Sequence, residues 1–349
     1  MELLSMAVEN PTQNGTSSSL FSGVAGVGWV IQHLINIDFM DQEMNSQLKH
    51  WDELIFESMM DDLSVGNYDL MHGAIGKGIY FIERQVGQAG FTEQIEKLTK
   101  GILQLAHHSS QGIYWTLNGS PDVINIGMAH GMVSIMRFLG EIYKLNLEQE
   151  ACKEAIQGAF DWLWSNELSG ATSKFSAGYK LRDTQNNVPS QLFWCHGDLS
   201  ILLTLAWMKH HTPELLRDIE HKKFNELVIF ESNRDLFSSG IKQLNGKINT
   251  SVCHGLPGVK HIFHQISQVS THQVAKDASK YWLKLLIEQY QKEQGKTTNQ
   301  LIEAQNSSAS SLTSIHGGLA GIAMVLLRDV LFLNDFGRNW DFYILTNTA

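Results

Sequence analysis

The tripeptide Cys-His-Gly occurs twice in this chain, beginning at Cys195 and at Cys253. These two tripeptides contain the residues best suited to catalysis. Thiolate sulfur and imidazole nitrogen are good zinc ligands, and three protein ligands leave a fourth tetrahedral position for water or a substrate. We therefore predict a catalytic zinc ion held by Cys195, Cys253 and one of the histidines that follow them, His196 or His254. Taken singly, each cysteine also fits the simpler interpretation of a small buried hydrophobe.

Activation of a thiol is the chemistry that such a site favours. Two thiolates and a neutral imidazole leave zinc with little net positive charge, so a bound substrate thiol would lose its proton and stay electron-rich. Such a site is less suited to hydrolysis, because a more electrophilic zinc ion lowers the pKa of its bound water further. The ligand set therefore favours alkylation of sulfur.

The two tripeptides belong to a repeat with a period near sixty residues. The dipeptide His-Gly occurs five times, at His72, His130, His196, His254 and His316. Several copies form a GxxG pattern followed by an apolar stretch, at 23–26, 73–76, 255–258 and 318–321. We predict that each glycine pair opens a buried helix, because glycine allows close approach of neighbouring segments and tolerates positive φ.

Amphipathic helices are predicted between these copies, over 91–105, 147–164 and 271–290, and no alternation indicates a sheet. The chain thus reads as a series of helical hairpins. The last repeat, 314–327, is as apolar as the central ones, whereas an open solenoid would end in polar caps. We therefore predict an all-α fold, an α/α toroid of six or seven helical hairpins.

Composition narrows the classes of protein further. The 349 residues carry a net charge of -10 with both signs interspersed, which argues against nucleic acid as a partner. No apolar run reaches the roughly 18 residues of a membrane span, so a cytoplasmic protein is expected. Three cysteines do not make a disulfide framework. We expect residues 1–18 to form a flexible leader and 19–349 a single domain.

With these motifs the chain resembles the lanthionine synthetase C-like proteins, the LanC cyclases of lanthipeptide and lantibiotic biosynthesis. The resemblance covers nearly the whole chain and is carried by a WCxG block at 194–197, a CHG block at 253–255, an AHG block at 129–131 and the GxxG repeats. It implies a double-layered α/α toroid with a catalytic zinc ion. The implied reaction is Michael addition of a precursor peptide's cysteine thiol to dehydroalanine or dehydrobutyrine, which closes a lanthionine or methyllanthionine ring.

The resemblance also assigns roles to individual residues. The family's metal ligands fall on Cys195, Cys253 and His254. Its active-site histidine falls on His130, a general acid or base for protonating the enolate that the addition creates. Its aspartate falls on Asp69, which would orient or charge-stabilise that histidine. Without the resemblance, Asp69 is simply interpreted as an N-terminal helix cap.

Two positions depart from the family pattern. Gln191 stands where family members carry an arginine, and His196 stands where a tyrosine is common. The first change removes a cation that would stabilise the enolate, and the second offers another route for proton transfer or a competing zinc ligand. These changes leave two alternatives to a cyclase open, namely addition of glutathione or another small thiol to dehydroamino acids, and a peptide-binding toroid without turnover.

The resemblance implies a dehydrated precursor peptide as the substrate, with a separate dehydratase and an export transporter as further candidate partners. The remaining features are interpreted structurally. His72 and His316 are expected to be packing residues, and Cys152 an ordinary residue of an amphipathic helix. The segment 292–311, rich in Asn, Gln and Ser, is expected to be an exposed loop.

Overall fold

The computed structural model describes residues 17–169, 172–182, 188–243, 246–293, 314–315, 317–330 and 340–348. Residues 1–16 of the predicted leader, His316 and nearly all of the predicted 292–311 loop lie outside the described residues. Helices form most of the described part. They are α1 (Val24–Asn36), α2 (Asn45–Ser64), α3 (Ala74–Gly87), α4 (Thr92–Gln104), α5 (Met132–Lys144), α6 (Gln149–Ser165), α7 (Gly197–His211), α8 (Asp218–Ser232), α9 (Leu256–Val269), α10 (Gln273–Glu293) and α11 (Leu319–Val330).

Apolar and amphipathic helices alternate along the chain as predicted. The three amphipathic helices expected over 91–105, 147–164 and 271–290 are α4, α6 and α10. The apolar helices follow the glycine motifs, and α7 is buried on all sides, since every residue from Gly197 to Met208 is buried. Within the part of the chain that is described, no helix combines the length and apolarity needed to cross a membrane.

Four short strands accompany the helices. β1 (His107–Ser109) pairs antiparallel with β2 (Gly112–Tyr114), and Ser109 lies opposite Gly112. β3 (Val123–Asn125) and β4 (Gly178–Lys180) are equally short. No alternation in the sequence indicates these strands, so the expectation of no sheet was wrong in detail. Three residues are too few to produce the alternation by which a strand is recognised.

The described residues group into two compact units. The first comprises the described residues within 1–166, 179–186 and 337–345, and the second those within 167–178, 187–336 and 346–349. In the first unit α3 packs between α1 and α5, with α2 and α4 against α3 and α6 against α5. In the second unit α9 packs between α7 and α11, with α8 against α7 and α10 against α9. The single domain expected over 19–349 stays a prediction.

The glycine motifs are explained by close backbone contacts. A Cβ on Gly73 would lie 2.6 Å from the carbonyl oxygen of Asn67, and one on Gly255 would lie 2.3 Å from that of Asn249. The second glycine of a pair makes the same contact, since a Cβ on Gly258 would lie 1.7 Å from the carbonyl oxygen of Val252. Each glycine therefore faces the carbonyl group six residues before it.

Positive φ is not the general reason for these glycines, contrary to the expectation from sequence. The glycines that precede α1, α3, α5 and α9 are extended, with φ of -144° at Gly23, -114° at Gly73, -124° at Gly131 and -137° at Gly255. Gly197, the first residue of α7, does adopt a positive φ of +37°. Steric room for a passing carbonyl group is thus the shared requirement.

Candidate active site

A cluster of two thiols and an imidazole lies where α7 and α9 begin. Cys195 stands in the loop before α7, and Cys253 and His254 stand in the loop before α9. The two sulfur atoms and a ring nitrogen of the histidine all lie within 4.8 Å of one another, and Cys253 Sγ is 3.5 Å from His254 Nε2. Both cysteines are buried. The structure thus brings together the three residues that the sequence singled out as ligands.

The geometry of the cluster fits a thiophilic metal ion such as zinc. Zinc lies about 2.3 Å from sulfur and about 2.0 Å from nitrogen in tetrahedral sites, which sets ligand atoms roughly 3.5 to 3.8 Å apart. The separation of 3.5 Å between Cys253 Sγ and His254 Nε2 matches that spacing. Two soft sulfur donors beside an imidazole also favour zinc over the hard cations magnesium and calcium.

The two cysteines influence each other's ionisation. A hydrogen bond from Cys253 lowers the pKa of the Cys195 thiol, and hydrogen bonds from His196 and His254 lower it further against the opposing effect of burial. The same contact with Cys195, together with burial, raises the pKa of Cys253. Cys195 is therefore the first of the pair to become a thiolate, the form that binds a metal.

Backbone contacts hold the two loops of the cluster in register. The amide of Trp194 donates to the carbonyl oxygen of Cys253 at 3.2 Å. The amide of His254 donates to Ser251 Oγ at 3.0 Å, and the ring of Phe193 meets that of His254 edge-on with centroids 5.1 Å apart. The ligand side chains thus project from backbone that is fixed on both sides.

Of the two departures from the family pattern, His196 lies beside this cluster. His196 hydrogen-bonds to the Cys195 thiol, and its ring centroid is 6.3 Å from that of His254. The cluster that satisfies metal-ligand spacing contains His254 and omits His196. Gln191 is exposed, and its side chain passes close to Gly240.

A second polar pair, His130 and Asp69, lies in the first unit. His130 Nδ1 is 2.5 Å from Asp69 Oδ2, and the side chain of His130 is 42% exposed. Asp69 Oδ1 accepts the backbone amides of Met71 at 2.7 Å and His72 at 2.8 Å. The helix-cap interpretation is corrected in detail, because the N-cap of α3 is Gly73 and Asp69 instead caps the loop before it. Its other oxygen makes the contact with His130 that the resemblance implies.

The other singled-out residues have simpler surroundings. The side chain of His72 is exposed. Cys152 is buried in α6, and burial raises the pKa of its thiol to about 12, which suits an unreactive helix residue.

A buried acidic pair behind the Cys195 loop, Asp198 and Glu231, was not predicted from the sequence. The available signal was a charged residue directly after Cys-His-Gly, at the start of an apolar helix.

Fold and site together define an all-α protein with a cluster of two cysteines and a histidine suited to a metal. The family described as lanthionine synthetase C-like protein matches residues 2–332, so the chain belongs to that family. The resemblance drawn from the sequence is thereby confirmed. A search of curated proteins finds no significant match.

Among solved structures the chain is similar to one named nisin cyclase. The TM-score is 0.72 at 18% sequence identity, and the match covers 99% of this chain and 84% of that one. The likeness confirms the predicted fold class, an all-α toroid. At this identity the comparison concerns the fold alone.

Proposed function

We propose that this chain is a zinc-dependent lanthipeptide cyclase. It would add cysteine thiols of a dehydrated precursor peptide to dehydroalanine or dehydrobutyrine and so form lanthionine or methyllanthionine rings. The observation that carries the proposal is the convergence of Cys195, Cys253 and His254 within 4.8 Å in a chain of the LanC-like family. The fold likeness to nisin cyclase supports a cyclase as the class of enzyme.

The cluster suits activation of a thiol in its chemistry and its surroundings. Zinc, when bound by these three residues, would supply a site that keeps a substrate thiol deprotonated at neutral pH. Burial of Cys195 and Cys253 keeps bulk water away from their sulfur atoms. The edge-on ring of Phe193 restrains the His254 imidazole. The two loops therefore hold their three donor atoms within 4.8 Å of one another.

His130 is the residue we propose for proton transfer. Attack of the thiolate forms a carbon–sulfur bond at the β-carbon and moves the alkene electrons into an enolate, which must gain a proton at the α-carbon. Asp69 faces Nδ1 of His130, so it favours the tautomer that carries its proton there and leaves exchange with substrate to Nε2. The ring is exposed enough to meet a substrate. The thiol proton released at the start balances the one delivered.

The partners we propose follow from this reaction. The substrate is a precursor peptide whose serine or threonine residues a separate dehydratase has already dehydrated, and an export transporter would receive the product. The net charge of -10 suits a peptide with a positive charge. Addition of glutathione to dehydroamino acids is the rival reaction.

Cyclisation of a model peptide tests the proposal directly. The full-length chain loaded with zinc would be incubated with a peptide that contains one dehydroalanine and one cysteine. We expect the free thiol to disappear faster than without protein while the peptide mass stays the same, because ring closure neither adds nor removes atoms. Thiol alkylation followed by mass spectrometry measures both quantities.

Two further arms separate the alternatives. With glutathione present, a product heavier by one glutathione in place of a ring would favour the small-thiol reaction. Cys253→Ala serves as the inactive control, since it lacks a ligand. A zinc-loaded wild-type chain that binds such peptides and accelerates neither reaction would contradict the proposal. It would favour the alternative of a peptide-binding toroid without turnover.

A further inference from the structure

Three charged side chains lie buried behind the loop that carries Cys195. Asp198 and Glu231 are both 0% exposed, and Arg234 is 6% exposed. Arg234 Nη1 is 3.1 Å from Glu231 Oε2 and 4.0 Å from Asp198 Oδ2. Burial of charged groups is costly unless they are paired and hydrogen-bonded, so a specific role for this cluster is expected.

Asp198, at the start of α7, binds two segments that precede Cys195 in the chain. Its carboxylate accepts the amides of Lys174 at 2.6 Å and Phe175 at 2.8 Å and the hydroxyl of Ser190 at 3.0 Å. The contact between Ser190 and Asp198 closes a short loop that contains Cys195. The loop is tight, because a Cβ on Gly197 would lie only 2.4 Å from Cβ of Ser190.

Arg234 extends the same support to a third segment. Its Nη2 donates to the carbonyl oxygens of Ser190 at 3.0 Å and Ser238 at 2.8 Å. The neighbouring Ser239 accepts the amide of Leu192 through its carbonyl oxygen at 2.8 Å. The chain on the amino-terminal side of Cys195 is therefore attached to the residues that follow α8.

The charges of the cluster balance if one carboxyl group keeps its proton. Burial, followed by the nearby charge of Asp198, raises the pKa of Glu231 well above its usual value. Asp198 is buried too, which raises its pKa, but a hydrogen bond from Glu231 and the backbone amides it accepts favour its charged form. Burial therefore favours the neutral form of Glu231, and Arg234 lies beside both carboxyl groups to offset the charge of Asp198.

We propose that Asp198, supported by Glu231 and Arg234, is the positioning residue that fixes the Cys195 loop so that Cys195 Sγ meets the other two ligands. The inference rests on the proposed metal site and extends it to residues that touch no metal. A hydrogen-bonded support of this kind typically contributes about 10- to 100-fold to metal affinity. Its loss therefore weakens metal binding with the three ligands intact.

Metal affinity of four full-length variants tests this inference. Zinc affinity is measured by competition with a chelator, and cobalt serves as a probe because its thiolate absorption reports the cysteine ligands. We expect Asp198→Asn to weaken zinc binding by about 10- to 100-fold. Ser190→Ala, which removes one contact and is milder, should weaken it less. Glu231→Gln should match the wild type, since a neutral amide of the same shape replaces a carboxyl group whose neutral form is favoured by burial.

Glu220→Gln is the matched control. Glu220 is also 0% exposed on α8, but it pairs with Arg217 at the helix start. We expect its loss to lower the unfolding midpoint and leave zinc affinity and the cobalt spectrum unchanged. A weakening in this control as large as that in Asp198→Asn would overturn the inference, because general destabilisation would then explain both.

The remaining outcomes are equally decisive. A folded Asp198→Asn chain that binds zinc as tightly as the wild type would overturn the inference. If that variant does not fold, Ser190→Ala decides the matter, and an unchanged affinity there would overturn it too. Failure of the wild type to bind zinc at all would contradict the proposed function, and the positioning role with it.

Discussion

The loops before α3 and α9 have the same backbone and different chemistry. Asp69 stands four residues before Gly73, and Ser251 stands four residues before Gly255. Each side chain accepts the amide of the histidine that precedes its glycine, Asp69 at 2.8 Å and Ser251 at 3.0 Å. The carboxylate has a second oxygen, and this oxygen reaches His130.

Ser251, with one side-chain oxygen, binds only the backbone of its own loop. Asp69 has one more oxygen, and this oxygen also contacts the imidazole of His130. The repeated backbone supplies position, and the side chains at a few sites supply function. In the loop before α9 the proposed metal ligands are instead Cys253 and His254, and Ser251 accepts the backbone amide of His254.

The largest effect that would sharpen this contrast is loss of the metal. Cys253→Ala should lower zinc content from about one ion per chain to almost none, because a site of two ligands binds weakly. Elemental mass spectrometry of the purified protein measures this. Cys152→Ala, which removes a buried thiol outside the cluster, should keep its zinc. Equal zinc in both variants would mean that the cluster is not the site.

The next effect concerns the first loop and its histidine partner. His130→Asn should slow cyclisation by about 10²- to 10⁴-fold, the usual contribution of a general acid or base, with zinc content unchanged. His72→Asn is the matched control, since His72 stands at the equivalent loop position and is exposed. Single-turnover kinetics of ring closure distinguish the two. An unchanged rate of ring closure in His130→Asn would show that His130 is not the general acid.

Smaller effects should appear where the two loops are alike. Gly73→Ala and Gly255→Ala each force a Cβ against a carbonyl oxygen, so each should lower the free energy of unfolding by about 1 to 3 kcal/mol. Chemical denaturation measures the loss. Gly317→Ala, whose nearest neighbour would lie at 3.6 Å, should cost less. A cost confined to one loop would break the analogy between them.

The smallest effect isolates the shared cap. Ser251→Ala removes the acceptor for the His254 amide and should lower the free energy of unfolding by about 1 kcal/mol. Asp69→Ser should cost little stability, because a hydroxyl oxygen can still accept the His72 amide, yet it should slow cyclisation through lost orientation of His130. The free energy of unfolding and the rate of ring closure are measured for both variants. Together they show whether binding of the histidine amide and orientation of His130 are separate roles of Asp69.

Much of this arrangement follows from the sequence, and the remainder depends on tertiary contacts. The repeat places Cys195 and Cys253 at equivalent helix starts, so their meeting could be predicted from spacing. Local periodicity likewise predicted α4, α6 and α10 closely. The contact between Asp69 and His130 required the family resemblance, because the repeat relates the His-Gly positions to one another and does not indicate that a residue three positions before His72 faces His130.

Two features escaped the sequence for physical reasons. The pairing of Asp198 with Glu231 depends on how the start of α7 meets the end of α8, which periodicity does not encode. The extended φ of Gly73 and Gly255 was hidden because sequence cannot tell a glycine needed for its conformation from one needed for space. In both cases the deciding contact comes from another segment.

The bond from Trp194 to the Cys253 carbonyl has a thermodynamic consequence. It joins two loops roughly sixty residues apart in sequence, and a zinc ion bound there would clamp the same junction. An ion that binds the folded chain and not the unfolded one stabilises it by about 2.7 kcal/mol at a hundred times its dissociation constant. Zinc starvation would then leave a chain that unfolds and is degraded more readily, so the supply of the ion would govern the lifetime of the protein as well as its reaction.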